Sequence, residues 1–320
     1  MKFLIAGFGS IGRRHYRNLK ALGENDIVLL RSQKSTLDDE EIAGVPVETS
    51  IEAALTHQPD ALIVATPTAL HLDSAIPAAR AGCSIFMEKP VSNDLDGIQE
   101  LASALKIHEK ELLVGFQFRY HPGLRKVKGW IEEEKIGRPL MARSHWGEYL
   151  PNWHPWEDYR ESYAARKDLG GGVVRTLSHP FDYLCWLFGG VQSVGSKIEN
   201  LSDLELNGVE DMGEISLQFK SGIFATVQVN YFQQPPQHTL EVFGTEGTIR
   251  WDNEDGAASV WTVAKNVWER FEMTPGFDRN DLFMAEMQHF INLTKGLEPS
   301  QCNLRDGLAV QNLVSKILSH

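Results

Sequence analysis

Cysteine is scarce in this chain of 320 residues: Cys83, Cys185 and Cys302 are the only three. Their wide separation excludes a disulfide framework and a paired zinc knuckle, and such sparing use suits a reducing cytosol. Long apolar runs are missing too, and nothing approaches the roughly 18 consecutive apolar residues of a membrane span. The apolar start is broken at Gly7, followed by Arg13, Arg14 and Arg17 and by no cleavage site, so a secretory signal is not expected. Basic charge is in deficit, with 31 Lys and Arg against 43 Asp and Glu and a net charge of −12. That balance repels phosphate backbones and anionic lipid, so neither nucleic acid nor membrane is an expected partner. Internal repeats and low-complexity segments are absent.

The remaining composition, 42% hydrophobic and 23% charged, is that of an ordinary globular protein, and 320 residues exceed one typical core. Two domains are expected. The first thirty-odd residues organise the rest. Phe3-Leu4-Ile5-Ala6 reads as a strand buried on both faces and runs directly into Gly7-Phe8-Gly9-Ser10-Ile11-Gly12. Gly7 suits a tight turn, Gly9 a close approach of the backbone to pyrophosphate, and Gly12 close packing of helix on strand. A helix over about 11–22 would aim its free N–H groups, starting at Ser10 and Ile11, at that anion. A glycine triplet alone is weak, but strand, turn, helix and a second apolar run, Ile27-Val28-Leu29-Leu30, occur in the required order. Where an NAD-binding strand usually ends in Asp or Glu, this one ends in Arg31, with Ser32 and Lys34 beyond.

Short apolar runs at 45–47, 61–65, 84–87 and 112–116 alternate with helical stretches at about 50–56, 69–81 and 94–109, which predicts a six-stranded parallel sheet covered on both faces. After Phe118 the pattern changes. A helix from Pro122 to about Lys135 is followed by an irregular aromatic segment from Tyr149 to Lys167, then Gly170-Gly171-Gly172 and a helix reaching Phe188. Strands expected at about 192–199, 212–220, 223–232, 238–244, 247–252 and 258–263 imply a second, antiparallel sheet. Helices at about 280–295 and 304–318 close the chain. The expected division is therefore a dinucleotide-binding Rossmann domain at 1–118 and an α/β domain at 119–320.

Strand ends in a doubly wound sheet are where ligands bind, which draws attention to Thr66-Pro67 with His71 and to Glu88-Lys89-Pro90. Taken alone, His71 reads as a structural histidine and Glu88-Lys89 as a solvated pair; position raises both. Together with the glycine turn, with Gly115-Phe116-Gln117-Phe118-Arg119 and Pro122, and with Gly170-Gly171-Gly172 leading to His179 and Asp182, these motifs resemble the glucose-fructose oxidoreductase and inositol dehydrogenase family, often written Gfo/Idh/MocA, over essentially the whole chain. The resemblance implies a Rossmann domain followed by an α/β domain with a large open sheet that often serves in homo-oligomers, dimers or tetramers. It implies a nicotinamide cofactor and the interconversion of a hydroxyl and a ketone on a sugar, an inositol or a sugar acid. It makes Lys89 and His179 the catalytic residues, Glu88 a neighbour of the nicotinamide ribose, and Gln117, Thr66, Pro67 and His71 part of the cofactor site.

Two positions depart from the family pattern. Arg175 stands where many members carry the Asp partner of the catalytic histidine, and Thr68 replaces a common Asn. Arg175 and His179 would share a face at helical spacing, although Pro180 should start or kink the helix nearby. Arg175 can grip a carboxylate, which suggests an acidic substrate; the alternative is pairing with an acid such as Asp182. Tyr149, Trp153, Trp156 and Arg160 offer the aromatic faces and polar tips that suit sugars, with Arg119 and Asp182 as further substrate contacts. Similar aromatic stretches occur in members linked to bacterial surface sugars. His145, His154, Asp158 and His179 lack the close spacing of zinc ligands, so no metal is expected. Arg13, Arg14, Arg31 and Lys34 form a basic cluster in an acidic chain, which favours NADP over NAD. The rival readings are a silent nucleotide-sensing protein, for which the missing Asp is the feature, and cofactor-recycling chemistry with net hydrolysis or isomerisation.

Overall fold

The computed structural model describes residues 1–31, 40–93 and 95–319. Ser32 and Lys34 of the expected basic rim lie outside the described residues. The chain divides into two compact units, 1–117 with 278–308, and 118–277 with 309–320. The return of residues 278–308 to the first unit is absent from the linear division expected above.

The first unit runs β1 (Lys2–Ala6), α1 (Ser10–Ala21), β2 (Asp26–Leu30), β3 (Val47–Glu48), α2 (Ile51–Leu55), β4 (Ala61–Val64), α3 (His71–Arg80), β5 (Ser84–Met87), α4 (Ile98–Ile107) and β6 (Leu112–Val114). Its six strands pair in parallel in the order β3-β2-β1-β4-β5-β6, reversing direction of growth beside β1, so β1 and β4 flank the switch point. Phe3, Leu4, Ile5 and Ala6 are all fully buried, as are Ala61 to Val64, because helices cover both faces.

The second unit opens with α5 (Pro122–Glu132) and β7 (Pro139–Tyr149) and passes through short turns to α6 (Val173–Thr176) and α7 (His179–Phe188). There follow β8 (Val191–Glu199), β9 (Met212–Phe219), β10 (Phe224–Asn230), β11 (Phe232–Gly244), β12 (Gly247–Asp252), β13 (Ala258–Thr262) and β14 (Trp268–Phe271). The chain ends with α8 (Arg279–Thr294) and α9 (Leu304–Leu318). The eight strands form one sheet in the order β14-β13-β12-β11-β7-β10-β9-β8. It is antiparallel except at β7–β10, because β7 enters by a long crossover and inserts beside β10 instead of continuing a meander. The short final strand β14 was not expected; its four residues, Trp-Glu-Arg-Phe, are too few to show a period.

Helices α5, α6 and α7 cover one face of this sheet. Strand alternation places Ala142, Ser144 and Trp146 of β7 on the covered face and Met141, Arg143 and His145 on the other. That outer face carries the exposed neighbours Met141 and Phe224 and a charge ladder in which Glu241 bonds both Arg143 and Arg250. A single helix was expected from the glycine run to Phe188. The structure breaks it at Leu177 and Ser178, with Pro180 in the first turn of α7, so Arg175 and His179 do not share a helical face.

Candidate active site

In the first unit the turn from β1 into α1 separates the tasks of its glycines. Gly7 has φ +92°, and a Cβ there would lie 2.4 Å from the Ala65 carbonyl oxygen. A Cβ on Gly12 would lie 2.1 Å from the Gly7 carbonyl oxygen. Gly9 is different: no atom of the described residues lies within 4 Å of its missing Cβ. The fold needs Gly7 and Gly12, whereas Gly9 leaves a cradle open at the N-terminus of a 12-residue helix that no side chain caps and whose first turn has no acid. Exposed Ser10 and half-buried Ile11 begin that helix. An open backbone cradle at a helix N-terminus fits a dinucleotide pyrophosphate.

The basic residues divide. Arg13 and Arg31 are both buried and both lie over the Phe8 ring, at 4.5 and 5.7 Å from its centroid. Arg13 also bonds Glu41 at 2.7 Å, and Arg17 takes the other oxygen of that carboxylate at 2.8 Å, which holds its pKa down. Arg14 instead sits 4.4 Å over the Phe283 ring. Among the described residues, the expected cluster is therefore reduced to Arg13 and Arg31 around Phe8.

At the end of β5, Glu88 Oε1 lies 2.7 Å from Nε2 of His15, which is 1% exposed and edge-on to Phe86. Half-buried Lys89 follows. His71, the first residue of α3, is buried with Nε2 3.0 Å from the Thr66 carbonyl and Nδ1 3.2 Å from that of Val91, bracing the loops after β4 and β5; burial lowers its pKa. Thr66 Oγ1, just ahead of Pro67, is buried with no hydrogen-bond partner among the described residues. Gln117 is buried where the first stretch of the unit ends.

In the second unit His179 is the first residue of α7 and 3% exposed. Its ring lies 5.0 Å from Phe118 and 5.7 Å from Trp146, 27° from parallel with the indole. The glycine run permits the approach to this helix: Gly172, at φ +107°, would place a Cβ 2.5 Å from a Glu210 carboxylate oxygen, and Glu210 Oε1 accepts the Val174 N–H at 3.0 Å. Burial raises the Glu210 pKa, and the positive charge of exposed Arg175 opposes that rise. Asp182, the expected alternative partner of Arg175, is held by Arg119 instead, with Nη2 to Oδ1 at 2.7 Å and Nε 3.1 Å from both oxygens.

Arg119 and Asp182, expected as substrate contacts, are thus joined in an ion pair that ties α7 to the turn before α5. Both side chains are enclosed, at 4% and 0% exposure. Arg160 likewise makes a two-point bond to Asp158, at 2.7 and 2.8 Å, and a third to Glu205, though it remains exposed. Trp156 is exposed, Trp153 packs edge-on against Tyr231, and half-buried Tyr149 pairs with Phe232 at the end of β7. Among the described residues no group of three or more His, Cys, Asp or Glu is placed to hold a metal ion, and no helix is long and apolar enough to cross a membrane.

Trp146, His238, His121, Glu210 and His15 were not anticipated from the sequence. Trp146 and His238 become neighbours only through the β7–β11 register, and neither lies in a motif.

Two stretches of the chain match known family profiles. Residues 1–116 match the profile described as oxidoreductase family, NAD-binding Rossmann fold, and residues 124–250 match the GFO/IDH/MocA C-terminal domain. An uncharacterized oxidoreductase, YrbE of Bacillus subtilis, is 32% identical over 78% of this chain and 73% of its own. The myo-inositol 2-dehydrogenase of Thermotoga maritima is 27% identical over 96% of this chain and 92% of its own. Levoglucosan dehydrogenase, solved in complex with NADH, shares the fold at a TM-score of 0.86, with 20% identity over 100% of this chain and 96% of its own. Because the two family regions adjoin in the family's order and the similarity to YrbE extends over most of both chains, the protein belongs to the Gfo/Idh/MocA family of oxidoreductases, with an NAD-binding Rossmann fold.

Proposed function

We propose that this oxidoreductase interconverts a hydroxyl and a ketone on a sugar, an inositol or a sugar acid, with NADP(H) preferred to NAD(H). The observation that carries the reading is the open dinucleotide cradle at Gly9 of the first unit; in the second unit, taken by itself, a buried imidazole, His179, heads α7. When bound, the nicotinamide supplies or accepts the hydride. His179 exchanges the hydroxyl proton, since an imidazole can do so near neutral pH, and the Lys89 ammonium stabilises the negative charge that develops on the reacting oxygen. Glu88, braced by His15, serves the ribose side. Relatives named for inositol and for 1,5-anhydro-D-fructose support a polyol or sugar substrate.

Arg31 supports the NADP preference: it stands at the end of β2, where a carboxylate would repel a 2′-phosphate, and Arg13 shares its Phe8 platform. A second copy of the chain is the proposed partner for the outer face of the large sheet, where Met141 and Phe224 are exposed side by side. The cytosol is the proposed compartment.

The test is turnover of NADPH and NADH with keto-sugars, inosose and acidic keto-sugars, in wild type and in Lys89→Ala and His179→Ala. Each variant should lower kcat about 100-fold or more. Wild-type rates in either would overturn its assigned role, and nucleotide binding without any turnover would favour a sensor. Equal affinity for the two cofactors, or a preference unchanged in Arg31→Ala, would defeat the basis for NADP.

A further inference from the structure

His179 lacks a carboxylate four residues earlier, where Arg175 stands, so what holds its ring must be sought elsewhere. Trp146 of β7 is 8% exposed and lies on the sheet face covered by α7. Its indole is stacked with His238 of β11, its cross-strand partner, at 4.2 Å between centroids and 2° from parallel. It also meets His179 at 5.7 Å and 27°. Phe118 closes the group, 5.0 Å from each imidazole and 5.8 Å from the indole. His238 is fixed in turn, with Nε2 3.2 Å from the Tyr183 hydroxyl, which bonds Ser144. An indole in such a stack could still turn over about its Cβ–Cγ bond, which would move its six-membered ring to the opposite side. Its N–H prevents this by donating to Glu148 Oε1 at 2.7 Å. Glu148 is two residues along the same strand, so it projects on the same side as Trp146.

We propose that Trp146, locked by Glu148, is a positioning residue for His179. The indole face sets the plane of the imidazole and therefore the direction in which its nitrogens exchange a proton, and Glu148 acts on His179 only through that indole. This inference rests on His179 as the proton-exchanging group. Its physical basis is that proton transfer requires the nitrogen to lie within hydrogen-bond reach of the substrate oxygen and to point at it. A small rotation of the ring therefore lowers kcat and leaves the binding of either substrate largely alone.

The experiment uses the full chain with histidine labelled for aromatic NMR, His179 being identified by the resonance lost in His179→Asn. In wild type that resonance should carry the ring-current displacement of the indole. Trp146→Leu should remove the displacement, and Trp146→Phe, which keeps a ring but no N–H, should reduce it. Glu148→Ala should broaden or shift the resonance, whereas Glu148→Gln, whose amide oxygen still accepts the indole N–H, should restore the wild-type spectrum. In turnover assays Trp146→Phe and Glu148→Ala should each lower kcat about tenfold with KM and cofactor affinity changed less than about twofold, and Glu148→Gln should recover most of the loss. Added to Trp146→Phe, Glu148→Ala should have no further effect. A His179 resonance unmoved in folded Trp146→Phe, or a Glu148→Ala effect of full size in the Trp146→Phe background, would overturn the proposal. The spectra need no substrate, so they decide the positioning role even if no sugar is turned over; failure of the proposed role of His179 would show separately, as wild-type kcat in His179→Ala, and failure of the proposed reaction as nucleotide binding without turnover.

Discussion

Arg119 and Asp182, 63 residues apart in sequence, form an enclosed ion pair whose guanidinium lies within 3.1 Å of both carboxylate oxygens. Arg119 lies in the turn leading to α5 and Asp182 in the first turn of α7, so the pair ties those two segments of the second unit together. Removing one partner takes the bidentate counter-ion from a buried charge, and Asp182→Asn or Arg119→Met should cost about 3–5 kcal/mol, read by denaturant unfolding. The double replacement Arg119→Met with Asp182→Leu should cost clearly less than either single change. Single variants of wild-type stability with a raised substrate KM would show that the pair serves the substrate after all.

The glycines of the nucleotide turn should separate by experiment as they do by geometry. Gly9→Ala meets open space and should fold with little change in melting temperature, yet its methyl group would fill the cradle and weaken dinucleotide binding about tenfold or more. Gly12→Ala would drive a methyl group into the Gly7 carbonyl and should destabilise the first unit by about 1–3 kcal/mol or more. Thermal melts paired with cofactor titration check both. Unchanged affinity in Gly9→Ala would remove that position from the cofactor site.

Stability should decline on mild acidification because of His121. This residue is 1% exposed, and Nδ1 accepts the N–H groups of Gly123 and Leu124 at 3.1 and 3.4 Å, capping α5 in its neutral form. Burial lowers its pKa from the ordinary 6.5 to about 4. Above the unfolded value both states are neutral and the full stability is present. Below it the unfolded chain takes a proton that the folded chain refuses, so stability is lost progressively as pH falls from 6.5 towards about 4. The contribution of this one group is about 3 kcal/mol at most. His71 and His238 are shifted by burial in the same direction and act over the same side of neutrality. His121→Asn keeps a cap acceptor but cannot titrate, so its melting temperature should fall less than that of wild type between about pH 7 and about pH 4.5. Parallel curves would exclude His121 as a source of the pH dependence.

Arg175 bears on substrate charge. It is exposed, and the charge that opposes it is that of Glu210. If it grips an anionic substrate, Arg175→Ala should raise KM for acidic sugars about tenfold or more while leaving neutral sugars within about twofold. A ratio unchanged by the substitution would assign Arg175 to Glu210 alone.

What the sequence determined by itself are features whose physical requirement is local. A run of four apolar residues with no polar alternation, ended by a turn signal, reads as a strand covered on both faces, and β1 and β4 are so. A positive φ at Gly7 and a contact of the helix with the Gly7 carbonyl at Gly12 demand residues without a Cβ, and both demands are legible in six letters. The family motifs nominate Glu88, Lys89 and His179 by the same kind of local signal, a fixed offset from a turn, and the structure places them at the end of β5 and the start of α7. Tertiary structure alone decided which side chains meet. Trp146 faces His238 because β11 makes a register shift between Phe232 and Gln237 before pairing with β7, and the period of two along each strand reveals a face but not a partner. It gave Asp182 to Arg119 and left Arg175 near Glu210, a choice that charge pattern alone left open. It broke one expected helix at Leu177 and Ser178, and so separated two residues that helical spacing had placed on one face. Periodicity records which side of an element is buried; packing across elements selects the neighbour, and the positioning of His179 belongs to that second kind of fact.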